Sequence, residues 1–370
     1  MSISDRSKLS KQVNELMDEF QKLQMKAISE FLKIEENQKI NFLELNGKIA
    51  KANKRWIETK GKDLTIQDLY DLTTPEERLY LKRLFQFIFD EMSDQQESEN
   101  PLPDNVKIEQ IMAYDVPAEW QIVPGANEDR VLLYFHGGGM VIGSPRDSRY
   151  FTVALGQATK MRVLSVDYRL APEHPHPAGQ EDCVAAYKWL LSTGIKPKNI
   201  IIGGLSAGGY FTLTTILRLR EEGIPLPLGA ICLSPGTDFR QEGIDDLFFE
   251  NAKTDPILAD GGLLLFCIPA YAAGADLNDP LLSPVIADFK GFPPLLVQAS
   301  SSEMLYSGSK RLAENAKKAG VDVTLEIWDN VPHGFHVFGL NVLPEAEDAI
   351  NHIKTFIQKL FKEEELEIQV

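Results

Sequence analysis

Residues 198–209, Lys198-Asn199-Ile200-Ile201-Ile202-Gly203-Gly204-Leu205-Ser206-Ala207-Gly208-Gly209, carry an apolar run straight into a serine flanked by glycines. Lys198 to Gly203 reads as a buried β-strand and Tyr210 to Arg220 as a helix, so Ser206 falls on the turn between them. On a strand-to-helix turn of the form Gly-x-Ser-x-Gly, the glycines relieve crowding and leave the hydroxyl exposed. The same letters also describe an ordinary glycine-rich turn. A second feature has to decide between the two.

That feature lies upstream, in His136-Gly137-Gly138-Gly139-Met140, which follows another strand-like run, Arg130 to Phe135. Three glycines let the backbone come close to a ligand and offer it N–H groups. A serine hydroxyl is a poor nucleophile until a base takes its proton, and the tetrahedral intermediate of acyl transfer puts negative charge on the former carbonyl oxygen. One segment supplies a serine and the other supplies donors for that oxygen. Together they point to acyl transfer.

Around these motifs, short apolar runs recur near 108–114, 119–123, 130–135, 161–166, 199–203, 228–233, 294–299 and 323–328. From the third onward, helical patterns near 147–160, 180–192, 207–222 and 305–319 separate most of them, which predicts a mainly parallel sheet covered on both faces. Such sheets carry their sites at the carboxyl ends of the strands, where both glycine motifs fall. Between about 236 and 290 the alternation lapses. The apolar stretch Gly261 to Ala275 there reads as a core helix or the wall of an acyl pocket.

The first hundred residues read differently. Over about 5–34, Leu9, Val13, Leu16, Met17, Phe20, Leu23, Ile28 and Phe31 form the apolar stripe of an amphipathic helix. Thr74-Pro75-Glu76-Glu77 opens a further helix that is expected to run to about Met92. Ser93 to Pro103 has the composition of an exposed linker. The expected organisation is a helical N-terminal cap over 1–100 and a catalytic domain over 101–370, with a second cap segment near 240–280.

Composition narrows the setting. The net charge is −16 and the pI about 4.9, which disfavours nucleic acid and anionic membranes as partners. The chain opens on a charged helical pattern without a signal-peptide core, and its longest uncharged stretch is too short for an integral membrane segment, so a cytoplasmic protein is expected. Cys183, Cys232 and Cys267 show neither metal-ligand nor disulfide spacing and read as buried free thiols. No metal or organic cofactor is expected. A homodimer is possible.

Of six histidines, His136 belongs to the glycine loop, His174 and His176 to a proline-rich turn, and His352 to a surface helix. His333 and His336 remain, in a loop after the last strand. His333, shaped by Pro332 and Gly334, is the candidate base and His336 the runner-up.

At this point the chain resembles the hormone-sensitive-lipase-like family of α/β-hydrolase esterases. The likeness spans about residues 105–340 and rests on His136-Gly137-Gly138-Gly139, Asp167-Tyr168-Arg169-Leu170-Ala171-Pro172-Glu173-His174-Pro175, Gly204-Leu205-Ser206-Ala207-Gly208-Gly209 and Pro332-His333-Gly334-Phe335. The resemblance implies Ser206 as nucleophile, His333 as general base and later acid, and the N–H groups of Gly138, Gly139 and Ala207 as oxyanion hole, supported by Gly137. It also implies that Arg169 and Glu173 brace the site through internal polar contacts.

Two positions depart from the family pattern. Leu205 stands where an Asp usually precedes the serine. Ser302, after the strand Leu295 to Ala299, stands where the triad Asp is usual. Glu303 is next along and one methylene longer than Asp, so the acid role is assigned to it. Asp322 and Asp329 flank the wrong loop. The expected reaction is hydrolysis of short- to medium-chain carboxylic esters through an acyl-serine. Amide hydrolysis by the same groups and a ligand-binding homologue without turnover are the alternatives.

Overall fold

In the computed structural model, which describes residues 6–7, 9–258, 263–337 and 342–367, the central feature is an eight-stranded sheet in the order β1-β2-β4-β3-β5-β6-β7-β8. The strands are β1 Lys107–Ala113, β2 Val116–Ile122, β3 Asn127–Phe135, β4 Met161–Val166, β5 Ile200–Leu205, β6 Gly229–Leu233, β7 Leu295–Ser300 and β8 Val323–Trp328. Only β2 runs antiparallel to its neighbours β1 and β4; from β4 to β8 every pairing is parallel. All eight strands coincide with the apolar runs of the sequence within a few residues.

Eleven helices are described: α1 Lys11–Lys33, α2 Phe42–Glu58, α3 Ile66–Asp71, α4 Pro75–Glu99, α5 Arg149–Thr159, α6 Ala178–Ser192, α7 Ala207–Glu221, α8 Asp246–Asn251, α9 Leu263–Ala272, α10 Tyr306–Lys318 and α11 Pro344–Glu367. The alternation of side chains along the strands divides the core in two. Val131, Leu133 and Phe135 of β3 pack with Cys183 and Tyr187 of α6, Ile216 of α7 and Leu312 of α10. Leu132 and Tyr134 point the other way, onto Phe151 and Leu155 of α5 and Ile353 and Ile357 of α11. Each such buried aliphatic side chain contributes about 1.5–3 kcal/mol, so the parallel strands need both helical layers.

The N-terminal region departs from expectation in one respect. Thr74 and Glu77 form the expected reciprocal cap. The helix they open, however, continues through Ser93 to Glu99, where an exposed linker was expected. The polar side chains of that stretch have partners. Ser93 donates to Asp147 at 2.8 Å, Arg146 meets Asp94 at 2.5 Å and Glu97 at 2.6 Å, and Arg149 meets Glu97 at 2.8 Å. Linker-like composition here marks a helix face that binds arginines.

The stripe of α1 is divided by function. Its helix begins at Lys11, after Ser10 accepts the Val13 N–H; residues 5 and 8 of the expected span lie outside the described residues. Leu9, Val13 and Met17 pack on Val331, Phe335, Leu343, Ala346 and Ala349, while Ala27, Ile28 and Phe31 pack on Tyr80, Leu81, Leu84 and Ile88 of α4. Between the two clusters, Leu16, Phe20 and Leu23 face a cavity. Within the stretch read as core helix or pocket wall, Gly261 and Gly262 lie outside the described residues. The described part forms α9, whose Cys267 is both buried and on that cavity's wall. Cys183 and Cys232 are likewise buried and free. Among the described residues, no helix is long and apolar enough to cross a membrane.

Candidate active site

The carboxyl ends of β3, β5, β7 and β8 meet at one point. β5 ends at Leu205 and α7 begins at Ala207, leaving Ser206 alone at the bend with φ 56° and ψ −109°. A non-glycine residue at positive φ is strained, and here the surroundings hold it: the Ser206 N–H donates to Leu233 O at 2.8 Å, and its carbonyl accepts from Tyr210 N at 3.1 Å. Gly208 lets α7 start against β3, since a Cβ there would fall 1.9 Å from Phe135 O.

Three side chains line up from this bend. His333 Nε2 lies 3.0 Å from Ser206 Oγ, and its Nδ1 lies 3.1 Å from Glu303 Oε2. Glu303 is wholly buried and His333 nearly so. Burial works against the imidazolium, but the hydrogen bond and charge of Glu303 outweigh it and leave the His333 pKa raised. Burial also pushes the Glu303 carboxyl up, while His333 pulls it the other way.

The other carboxylates and histidines are placed elsewhere. Asp322 meets Lys359 at 3.1 Å and Asp329 accepts from Ser301 at 2.5 Å. Ser302, at the position where the family usually has Asp, is buried, and its N–H donates to Ser300 Oγ. His336 is turned away to Gln298 Oε1 at 3.1 Å, and burial pushes its pKa down to about 3.

Opposite the serine lies the glycine loop. Gly137, Gly138 and Gly139 share a cavity wall with Ser206 and His333. Gly138 adopts φ +110°, and a Cβ there would lie 2.1 Å from Ile142 O, so only glycine fits. Ala207 is the first residue of α7, and its N–H has no intrahelical acceptor. His136 anchors the loop: it stacks on Tyr168 at 4.1 Å, and its Nδ1 lies 2.7 Å from Gly137 O. Burial lowers the His136 pKa to about 4, so the ring stays neutral. Arg169 holds Asp182 at 2.8 Å, and Glu173 pairs with Lys82 of α4, so both make the internal contacts expected of a brace.

A cavity of about 420 Å³ opens over these groups. Its walls combine Leu16, Phe20 and Leu23 of α1, Phe85, Phe89 and Met92 of α4, and Ile257 and Leu258 of the loop after α8.

A model of the alpha/beta hydrolase fold family matches residues 132–337. An acetyl-hydrolase of Streptomyces hygroscopicus is 40% identical over 241 residues, 65% of this chain and 79% of that protein. An esterase of Acinetobacter venetianus is 35% identical over 260 residues, 70% of this chain and 84% of that one. Among solved structures, an esterase from the bacterial hormone-sensitive lipase family superposes with TM-score 0.69 at 38% identity, covering 87% of this chain and 99% of its own. This chain belongs to that family. An esterase/lipase from an uncultured bacterium is similar as well, with TM-score 0.68 at 37% identity over 78% of this chain and 100% of the other.

The protein is thus a carboxylic-ester hydrolase of the hormone-sensitive-lipase-like group. In this esterase, Leu205 takes the place of the usual Asp beside the serine. Its side chain fills the seam between two loops: a Cβ on Gly137 would meet its Cδ2 at 3.7 Å, and one on Gly334 at 3.6 Å. Sequence reasoning did not find Asn251 or Asp255, which hold the loop bearing Glu303 from the side of α8. In the sequence, Asp255-Pro256-Ile257-Leu258 only leads into the apolar stretch that starts at Gly261. Nothing local connects it to a loop some fifty residues on.

Proposed function

We propose that the esterase cleaves short- to medium-chain carboxylic esters through an acyl-enzyme on Ser206. The observation that carries this reading is the chain of hydrogen bonds from Ser206 Oγ through His333 to Glu303, at 3.0 and 3.1 Å. His333 Nε2 takes the hydroxyl proton as Oγ attacks the ester carbonyl. Glu303 keeps the other ring proton on Nδ1 and stabilises the imidazolium. The N–H groups of Gly138, Gly139 and Ala207 then receive the oxyanion, each contributing about 3–4 kcal/mol to the transition state. The imidazolium protonates the departing alkoxide, the acyl group remains on Oγ, and a water activated by the same imidazole releases the acid.

The apolar walls supplied by α1 and α4 support an acyl pocket and a cap formed by residues 1–100 together with 240–280. A panel of p-nitrophenyl esters from acetate to palmitate, run on wild type and Ser206→Ala, tests the whole reading. Turnover should peak at short to medium chains and fall by about 10⁴- to 10⁶-fold in the variant. Retained turnover in Ser206→Ala would defeat it. Deleting residues 1–34 tests the cap. The chain-length optimum should broaden or shift as Leu16, Phe20 and Leu23 leave the wall, and an unchanged optimum at unchanged rate would remove the cap role from α1.

A further inference from the structure

Asp255, just after α8, is fully buried, yet the mechanism above gives it no task. Its Oδ1 accepts from Ile257 N at 2.9 Å and Leu258 N at 3.0 Å, and its Oδ2 accepts from Met304 N at 3.0 Å. Met304 follows Glu303 directly. The same short segment grips that loop a second time, because buried Asn251 donates its Nδ2 to the carbonyls of Ser301 at 3.0 Å and Glu303 at 2.8 Å. The Asp255 N–H in turn donates to Asn251 O at 2.8 Å, which ties the two side chains into one clasp. On the other side of that clasp, Ile257 and Leu258 line the catalytic cavity.

The chemistry of the clasp is uneven in a telling way. Asn251 does its part without charge. A buried carboxylate with no lysine or arginine among its described partners is costly to keep, and an asparagine there could accept part of the same set of bonds. Shape alone does not explain the charge, but its neighbour does. His333 becomes an imidazolium in the transition state; it is hydrogen-bonded to Glu303 from the loop after β7 and to Ser206 at the bend, neutral His336 lies on its own loop, and Asp255 on the α8 side holds Met304, next to Glu303, and acts on His333 through charge. Among the described residues, the charges that bear on it are those of these two carboxylates. Burial opposes the imidazolium, and the bond and charge of Glu303, then the charge of Asp255, push the other way.

We propose that Asp255 is a positioning residue and a second counter-charge. Through Met304 it fixes the loop that presents Glu303, and through its charge it stabilises protonated His333 during proton transfer. The inference rests on reading Ser206, His333 and Glu303 as the working triad. It also ties the wall of the cavity, Ile257 and Leu258, to the placement of the acid.

Asp255→Asn keeps the volume and removes the charge, whereas Asn251→Ala loosens the same loop with no change of charge. Rates would be normalised to active sites titrated with a p-nitrophenyl phosphonate, so that unfolded molecules are not counted. In Asp255→Asn, kcat should fall about 10- to 100-fold with little change in KM, and the acid limb of kcat/KM should move to lower pH. Asn251→Ala should lower kcat and move the limb less far than Asp255→Asn does, since the charge stays in place. A limb in Asp255→Asn that stays put or moves to higher pH overturns the proposal.

If Asp255→Asn yields no titratable sites, Asp255→Glu replaces it. With charge restored on a longer arm, kcat should drop while the limb keeps its wild-type pH; wild-type kcat or a displaced limb overturns the proposal. Failure of the underlying triad reading would show separately, as wild-type enzyme whose Ser206 the phosphonate does not label, or as full activity in Glu303→Gln.

Discussion

Two loops flank His333, and they are held in place by different physics. The bend at Ser206 is fixed by backbone alone: a strand ends, a helix begins, and Gly208 brings the helix within reach of Phe135 O, where no Cβ would fit. The loop at Glu303 is fixed by side chains from elsewhere, with Asn251 and Asp255 on one flank and Ser300 Oγ donating to Val331 O at 2.5 Å on the other. A geometry held by steric exclusion has one solution. A geometry held by hydrogen bonds can be re-solved when the chain shifts by a residue, which accounts for a carboxylate reaching His333 from 303 while 302 is a serine.

The sharpest way to break this contrast is on the acid side. Glu303→Gln should cost about 10⁴-fold in kcat, because a neutral partner favours the wrong tautomer and cannot stabilise the imidazolium. Ser302→Ala should change the rate less than about threefold, within the range of a substitution outside such networks. Steady-state kinetics on both variants decides it, and the reverse ranking would return the acid role to the neighbourhood of 302. On the backbone side, Gly138→Ala forces a Cβ to within 2.1 Å of Ile142 O, so the loop must move. Loss of an oriented donor should lower kcat about 10²- to 10³-fold with KM little changed.

The smallest effect is one of pH. Proton removal from Ser206 requires neutral imidazole, so the rate falls as pH drops through the His333 pKa. That pKa is raised above the ordinary value near 6.5 by Glu303 against the effect of burial, so the acid limb of kcat/KM should lie above 6.5 in wild type. A limb below 6.5 would mean that burial wins and that the acid side is looser than its hydrogen bonds suggest.

This contrast also explains what could be read from the letters. The strands were legible because runs such as Val131 to Phe135 are apolar on both faces, as a sheet between two helical layers requires. Ser206 and the loop of Gly138 were legible because their geometry admits so few residue types. The length of α4 was not legible, since Ser93 to Glu99 looks solvated until Arg146, Arg149 and Asp147 are brought against it. Asn251 and Asp255 were hidden for the same reason. In this clasp they bond to backbone atoms, and a backbone amide leaves no trace in the identity of the residue that owns it.

One feature of α1 has a mechanical consequence. Leu9 and the helix residues Val13 and Met17 pack against the loop that holds His333, and an overlapping face of the same helix presents Leu16, Phe20 and Leu23 to the cavity. A displacement of α1 that widened the entrance would therefore also strip the loop of His333 of its packing, so one helix couples access to the cavity with the placement of that imidazole.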